Sequence, residues 1–307
     1  MFKDFRVSGV EGTLGFAPGR ALGHARVLPE VEQVDLVREI EVDHFKFDPM
    51  DAKPDGAGKP GGGGGGGGGG GNVPAPYTSG PADSASGFNI TILFEGTWTQ
   101  DLYNIFVAAA DFYTSLITGD LADVTITSGR GKRATTETID DVVITASLVN
   151  IDGTGGVLGR AGPSSSRTDS QLTVKGIMEF DIADTGDFNA AGLFDDIVLH
   201  EMGHVLGFGT LWDRLGLINP DNTFGGELAS AEHALQFNGD STIDIETDGG
   251  QGTAFGHWDD ATYTNELMTG YISNPNYYSY FSAAAYADMG YQLADNWKQV
   301  VDDLNLA

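Results

Sequence analysis

The stretch His200-Glu201-Met202-Gly203-His204-Val205-Leu206-Gly207-Phe208-Gly209 decides how the rest of the chain is read. It follows Leu193-Phe194-Asp195-Asp196-Ile197-Val198-Leu199, which has the pattern of the opening turns of an amphipathic helix. Positions four apart lie one above the other on a helix, so His200 and His204 offer two imidazoles to one point. Glu201 then stands beside the position those nitrogens leave open. Two neutral nitrogen ligands and an adjacent carboxylate are what metal-assisted hydrolysis requires. HExxH supplies only two ligands, so a third must come from elsewhere.

Gly207 narrows the search. Glycine tolerates the left-handed backbone that ends a helix, so the chain should turn three residues after His204. A glutamate ligand normally comes from a later helix after a motif helix that runs on, whereas a glycine stop favours a later histidine. In the compact form of the glycine-stop motif the third histidine falls six residues after the second, and here that position is Thr210. Glu227, Glu232 and His233 stay open as rivals. His257 is the remaining candidate, in Gly256-His257-Trp258-Asp259-Asp260, with Asn265-Glu266-Leu267-Met268-Thr269-Gly270 following it.

Taken together, HEMGHVLGFG, GGQGTAFGHWDD, NELMTGY and AAAYADMGY resemble the leishmanolysin-type metzincin peptidases, over roughly residues 88–293. The resemblance implies one catalytic zinc bound by His200, His204 and His257, Glu201 as general base, and Met268 as the floor beneath the metal. It implies an α+β, metzincin-like fold. A twisted mixed sheet would pack on two long helices, and a mostly irregular C-terminal subdomain would carry the third His and the methionine turn. The implied activity is a zinc-dependent endopeptidase, hydrolysing peptide bonds by Glu-assisted attack of a zinc-bound water on protein or peptide substrates. Gly176-Ile177-Met178-Glu179-Phe180-Asp181-Ile182 resembles the family's sheet-edge strand, and an extended substrate is expected to pair with it. Two other functions use the same ligands: a non-catalytic zinc-binding adhesion module and a zinc hydrolase of small acyl substrates. The presence of Glu201 speaks against the first.

The remaining chain sets the frame. It has 307 residues, no cysteine, and 44 acidic against 16 basic side chains, for a formal charge of −28. That surface repels nucleic acid and anionic membranes. The absence of cysteine excludes disulfides and any thiol that could hold such a zinc site latent. Calcium would suit the charge, but no EF-hand loop or glycine-aspartate nonapeptide is present. No apolar run is long enough to cross a membrane, and no apolar stretch behind the first residues marks a signal peptide. The expected location is extracellular, reached without a recognisable N-terminal signal. Val300–Ala307 reads either as an uncleaved export signal or as an amphipathic tail.

Three regions are expected. Residues 1–50 form a segment of unreadable role, with His24 and His44 as structural or surface residues. Residues 51–86 form a Gly/Pro-rich flexible linker around eleven consecutive glycines, Gly61 to Gly71. Residues 87–307 form the metallopeptidase domain. Within it the pattern predicts strands at 88–94, 124–127, 142–150 and 176–182, a helix over 99–118, and loops at 150–156 and 162–166. Asp195 and Asp196 suit the first turn of the metal helix or the outer side of an imidazole. Tyr271 could approach the metal, and Tyr277, Tyr278 and Tyr280 suit either a pocket wall or core packing.

Overall fold

The computed structural model describes residues 3–7, 33–34, 73–128, 133–248, 250 and 252–306. Most of the segment and tether expected before residue 73, including His24 and His44, lies outside them.

The elements follow in order: β1 (Lys3–Val7), β2 (Gln33–Val34), β3 (Tyr77–Ser79), β4 (Ile90–Glu95), α1 (Gln100–Leu116), β5 (Val124–Ser128), β6 (Thr135–Ile139), β7 (Val142–Val149), β8 (Gly159–Arg167), β9 (Thr173–Asp181), α2 (Ile182–Ala191), α3 (Phe194–Val205), α4 (Glu227–Gln236), α5 (Asp260–Tyr263), β10 (Tyr271–Ile272), α6 (Tyr280–Met289) and α7 (Trp297–Asn305). The fold is mixed α+β. The main sheet runs β10-β1-β8-β9-β7-β4-β3, with β2 pairing β8 off that path, and β5 and β6 form a separate ribbon. β4, β7 and β9 are mutually parallel, while β3 and β8 are antiparallel to their neighbours β4 and β9.

Alternating β-branched residues make β4 and β7 strands with one face inward, leaving Ile90, Ile92, Val142 and Ile144 buried. The α1 helix begins where the Thr99 side chain accepts the Leu102 N–H. Its Leu102, Phe106, Ala109, Tyr113 and Leu116 recur at helical spacing and are all buried. α3 lies against α1 and against β8 and β9. Gly176 permits that approach: a Cβ there would sit 2.3 Å from Val205 Cγ1. The two helices and the sheet share one core, in which Phe106 meets Phe94, Trp98 and Phe180 edge-on.

Two expectations are overturned. The strand at 176–182 is not at the sheet edge: β9 is flanked by β7 and β8 along its length. Sequence order does not give sheet order, and β8 folds back outside β9. The loop expected at 162–166 is strand, as Gly162, Pro163, Ser165 and Ser166 all pair with β9. Weak strand propensity there is overridden by tertiary pairing. Pro163 sits where the register shifts, a position that tolerates its missing N–H.

The glycine-rich loop expected at 150–156 is present and is tied down by a buried carboxylate. Asp181 accepts the N–H groups of Ile151, Asp152 and Gly153 while capping α2 through Ala183. Tyr77–Ser79, within the stretch read as linker, pairs antiparallel with β4.

Candidate metal centre

α3 carries His200, Glu201 and His204, all fully buried. Asp195 and Asp196 occupy its first turn, where the helix dipole favours negative charge. Asp196 also accepts from Asn276 Nδ2 at 2.9 Å, and burial pushes its carboxyl up to about 6. Helix geometry ends after Val205, and Gly207 takes φ +113°. The Phe208 N–H returns to the Gly203 carbonyl and the Gly207 N–H to that of His204. Thr210, at the compact third-ligand position, donates its hydroxyl to the His204 carbonyl at 2.8 Å.

A second glycine brings the distant half into place. Gly209 has φ +65°, and a Cβ there would lie 1.9 Å from the Gly256 carbonyl oxygen. Only a glycine lets the chain after the helix touch the residue before His257. Trp258 then stacks on Trp212, with centroids 4.7 Å apart, and donates its backbone N–H to the Met268 carbonyl. Met268 is fully buried, and its Cε lies 3.1 Å from where a Gly203 Cβ would be. The methionine therefore packs against the helix between the two histidines.

The three imidazoles converge through their Nε2 atoms. His200 Nε2 is 2.8 Å from His204 Nε2 and 3.2 Å from His257 Nε2, and His204 Nε2 is 3.0 Å from His257 Nε2. Each Nδ1 faces a backbone carbonyl: Leu267 at 2.7 Å, Phe208 at 2.8 Å and Thr253 at 2.8 Å. Those carbonyls fix the tautomers, because each Nδ1 must donate and each Nε2 then carries a lone pair. Three lone pairs aimed at one point repel unless a cation sits between them. Burial and the neighbouring His257 hold His200 well below the usual histidine value, so it is neutral and ready to ligate. Tetrahedral zinc with bonds near 2.05 Å sets its nitrogens about 3.3 Å apart, close to this spacing. The donor set fits zinc.

Glu201 points toward β8. A Cβ on Gly159 would lie 3.2 Å from Glu201 Oε1, so the carboxylate abuts a strand residue that has no side chain. The rival ligands lie elsewhere. Glu227 is exposed, Glu232 pairs with Lys298 at 2.7 Å, and His233 donates to the Asp240 carbonyl and faces the Tyr263 hydroxyl. With Nδ1 of each site histidine on a carbonyl, the partner role suggested for Asp195 and Asp196 goes to the backbone. Tyr278 packs on Phe112 in the core, Tyr280 donates to Asp302, and Tyr277 and Tyr271 are half-buried. Asp120, Asp140 and Asp141 form a second carboxylate group, in which Asp141 anchors backbone through the Asn89 and Leu121 N–H groups.

Glu266 is the residue that motif reading passed over. It is 1 % exposed and its carboxylate accepts from the Met268 N–H, the Ser279 N–H and hydroxyl, and the Ser282 hydroxyl. It holds the turn that presents the Leu267 carbonyl to His200. Its place two residues before Met268 was visible; its serine partners come from a separate helix start.

These groups define a metallohydrolase centre. The leishmanolysin family model matches residues 132–301, more than half of the chain, and the chain belongs to this metallopeptidase family. A search of curated proteins gives no match.

Proposed function

We propose that the chain is a zinc-dependent endopeptidase of metzincin-like architecture, with His200, His204 and His257 as zinc ligands, Glu201 as general base and Met268 as the floor. The observation that carries this reading is the convergence of three buried Nε2 atoms, each oriented by a carbonyl on its Nδ1. Zinc held there by the three imidazoles would supply Lewis acidity, making water more acidic and polarising a carbonyl. Glu201 takes the proton lost by the attacking water and delivers it to the leaving amine. The closeness of its carboxylate to Gly159 of β8, a residue with no side chain, supports this role. Residues 87–307 form the catalytic unit in this reading. The acidic surface and the family support an exported enzyme, and no helix among the described residues is long and apolar enough to cross a membrane.

The test is metal analysis with casein turnover. Wild type should bind one zinc and cleave casein. Glu201→Ala should keep its zinc and lose about 10²–10⁴-fold in turnover, and His257→Ala should lose zinc. Full zinc affinity in His257→Ala would sink the ligand set, and casein turnover retained by Glu201→Ala would sink the base.

A further inference from the structure

β1 joins two elements that flank the metal centre. Lys3, Asp4 and Phe5 pair antiparallel with Ala161, Arg160 and Gly159 of β8. Arg6 and Val7 pair parallel with Tyr271 and Ile272 of β10. Gly159 is the residue against which Glu201 Oε1 sits. Tyr271 comes three residues after Met268, in the segment whose Leu267 carbonyl holds His200. β1 also lies against α3. The change of partner from β8 to β10 falls between Phe5 and Arg6, so the strand crosses the site at the level of Glu201.

An extended peptide docks on a sheet by completing its ladder, with main-chain hydrogen bonds supplying affinity. On β8 only one side is available, because β9 takes the other. That side is where β1 lies. The slot between β8 and β10 accepts a chain antiparallel to one wall and parallel to the other, and residues 3–7 fill it.

We propose that Lys3–Val7 is a pseudosubstrate strand that occupies the peptide slot and competes with incoming protein substrates. The inference rests on the peptidase reading above. It supplies latency without the thiol that this chain lacks. A tethered competitor acts at an effective concentration on the order of millimolar, so it raises apparent KM and leaves kcat unchanged.

The experiment uses the full zinc-loaded chain and Phe5→Pro/Arg6→Pro, which removes one N–H from each side of the strand. Amide exchange is followed at 159–161 and 271–272. Binding of a fluorescent casein peptide is read by anisotropy in a Glu201→Ala background, and turnover is measured with Glu201 intact. A second variant keeps residues 3–7 unchanged and carries a protease site within the Gly61–Gly71 run, cut after folding and followed by removal of the released segment. Expected are faster exchange at both walls, about tenfold tighter peptide binding, and apparent KM lowered about tenfold at near-constant kcat. Unchanged exchange overturns the strand's occupancy. Faster exchange with unchanged peptide binding overturns the competition. Peptide that binds more tightly but is never cleaved, by wild type or variant, overturns the peptidase reading while the occupied slot stands.

Discussion

His200 and His204 stand on a helix that would set their spacing in almost any protein, whereas His257 stands on chain with little regular structure. The α3 half needs its own backbone and one glycine stop. The second half is held by groups drawn from many places: Gly209 against Gly256, Trp258 against Trp212, and Glu266 against Ser279 and Ser282. Both halves end in the same device, a backbone carbonyl fixing each imidazole. Local geometry brings two imidazoles together cheaply in sequence terms, and a third from far away demands a polar anchor inside the core. Glu266 is that anchor, with burial pushing its carboxyl upward and four hydrogen bonds opposing the shift.

The largest break in this contrast should come from Glu266→Ala. It leaves buried N–H and hydroxyl groups without their acceptor, so urea melts should show a loss of about 3 kcal/mol or more. Zinc affinity should fall with it, although no ligand is touched and α3 keeps its sequence. Unchanged zinc affinity would mean that the second half holds itself without this carboxylate.

Gly203→Ala tests the seam between the halves. Its Cβ would lie 2.7 Å from the hydroxyls of Tyr113 and Tyr286 and 3.1 Å from Met268 Cε. Alanine favours the helix, so any loss reports crowding alone, expected at about 1–3 kcal/mol. A stabilised variant would show that Met268 is free to move away from α3.

Asp196→Asn should give the smallest effect, visible as pH dependence. The folded carboxyl titrates near 6, above its ordinary 3.8, so the folded state binds more protons between those values. Wild-type stability relative to the variant should be greatest below about pH 4, fall as pH rises through 6, and then level off. Asparagine can still accept from Asn276, which isolates the charge. A flat difference from pH 4 to 7 would place the carboxyl at its ordinary value.

Much of the site was legible because its signals are local. HExxH on a helix, a glycine stop and a methionine turn can each be read from short stretches. The main helix α1 and the strands β4, β5 and β7 were legible for the same reason, since periodicity survives in a one-dimensional string. β8 was not, because glycine, proline and serine carry no strand signal and its pairing came from β9. Nor was the place of β9, because hydrogen bonding across a sheet leaves no trace of neighbour order.

The sequence alone determined that His200 and His204 share one helix face beside Glu201 and that the chain turns after Gly207. These follow from helical repeat, backbone freedom at glycine and motif spacing, all set within a few residues. Only the tertiary structure decided that His257 meets the helix pair in preference to Glu227, Glu232 or His233. It also placed Glu266 in the core, made β8 the neighbour of Glu201, and laid Lys3–Val7 beside it. Those choices depend on which distant surfaces exclude water together, and contacts of that kind are energies of packing with no local code.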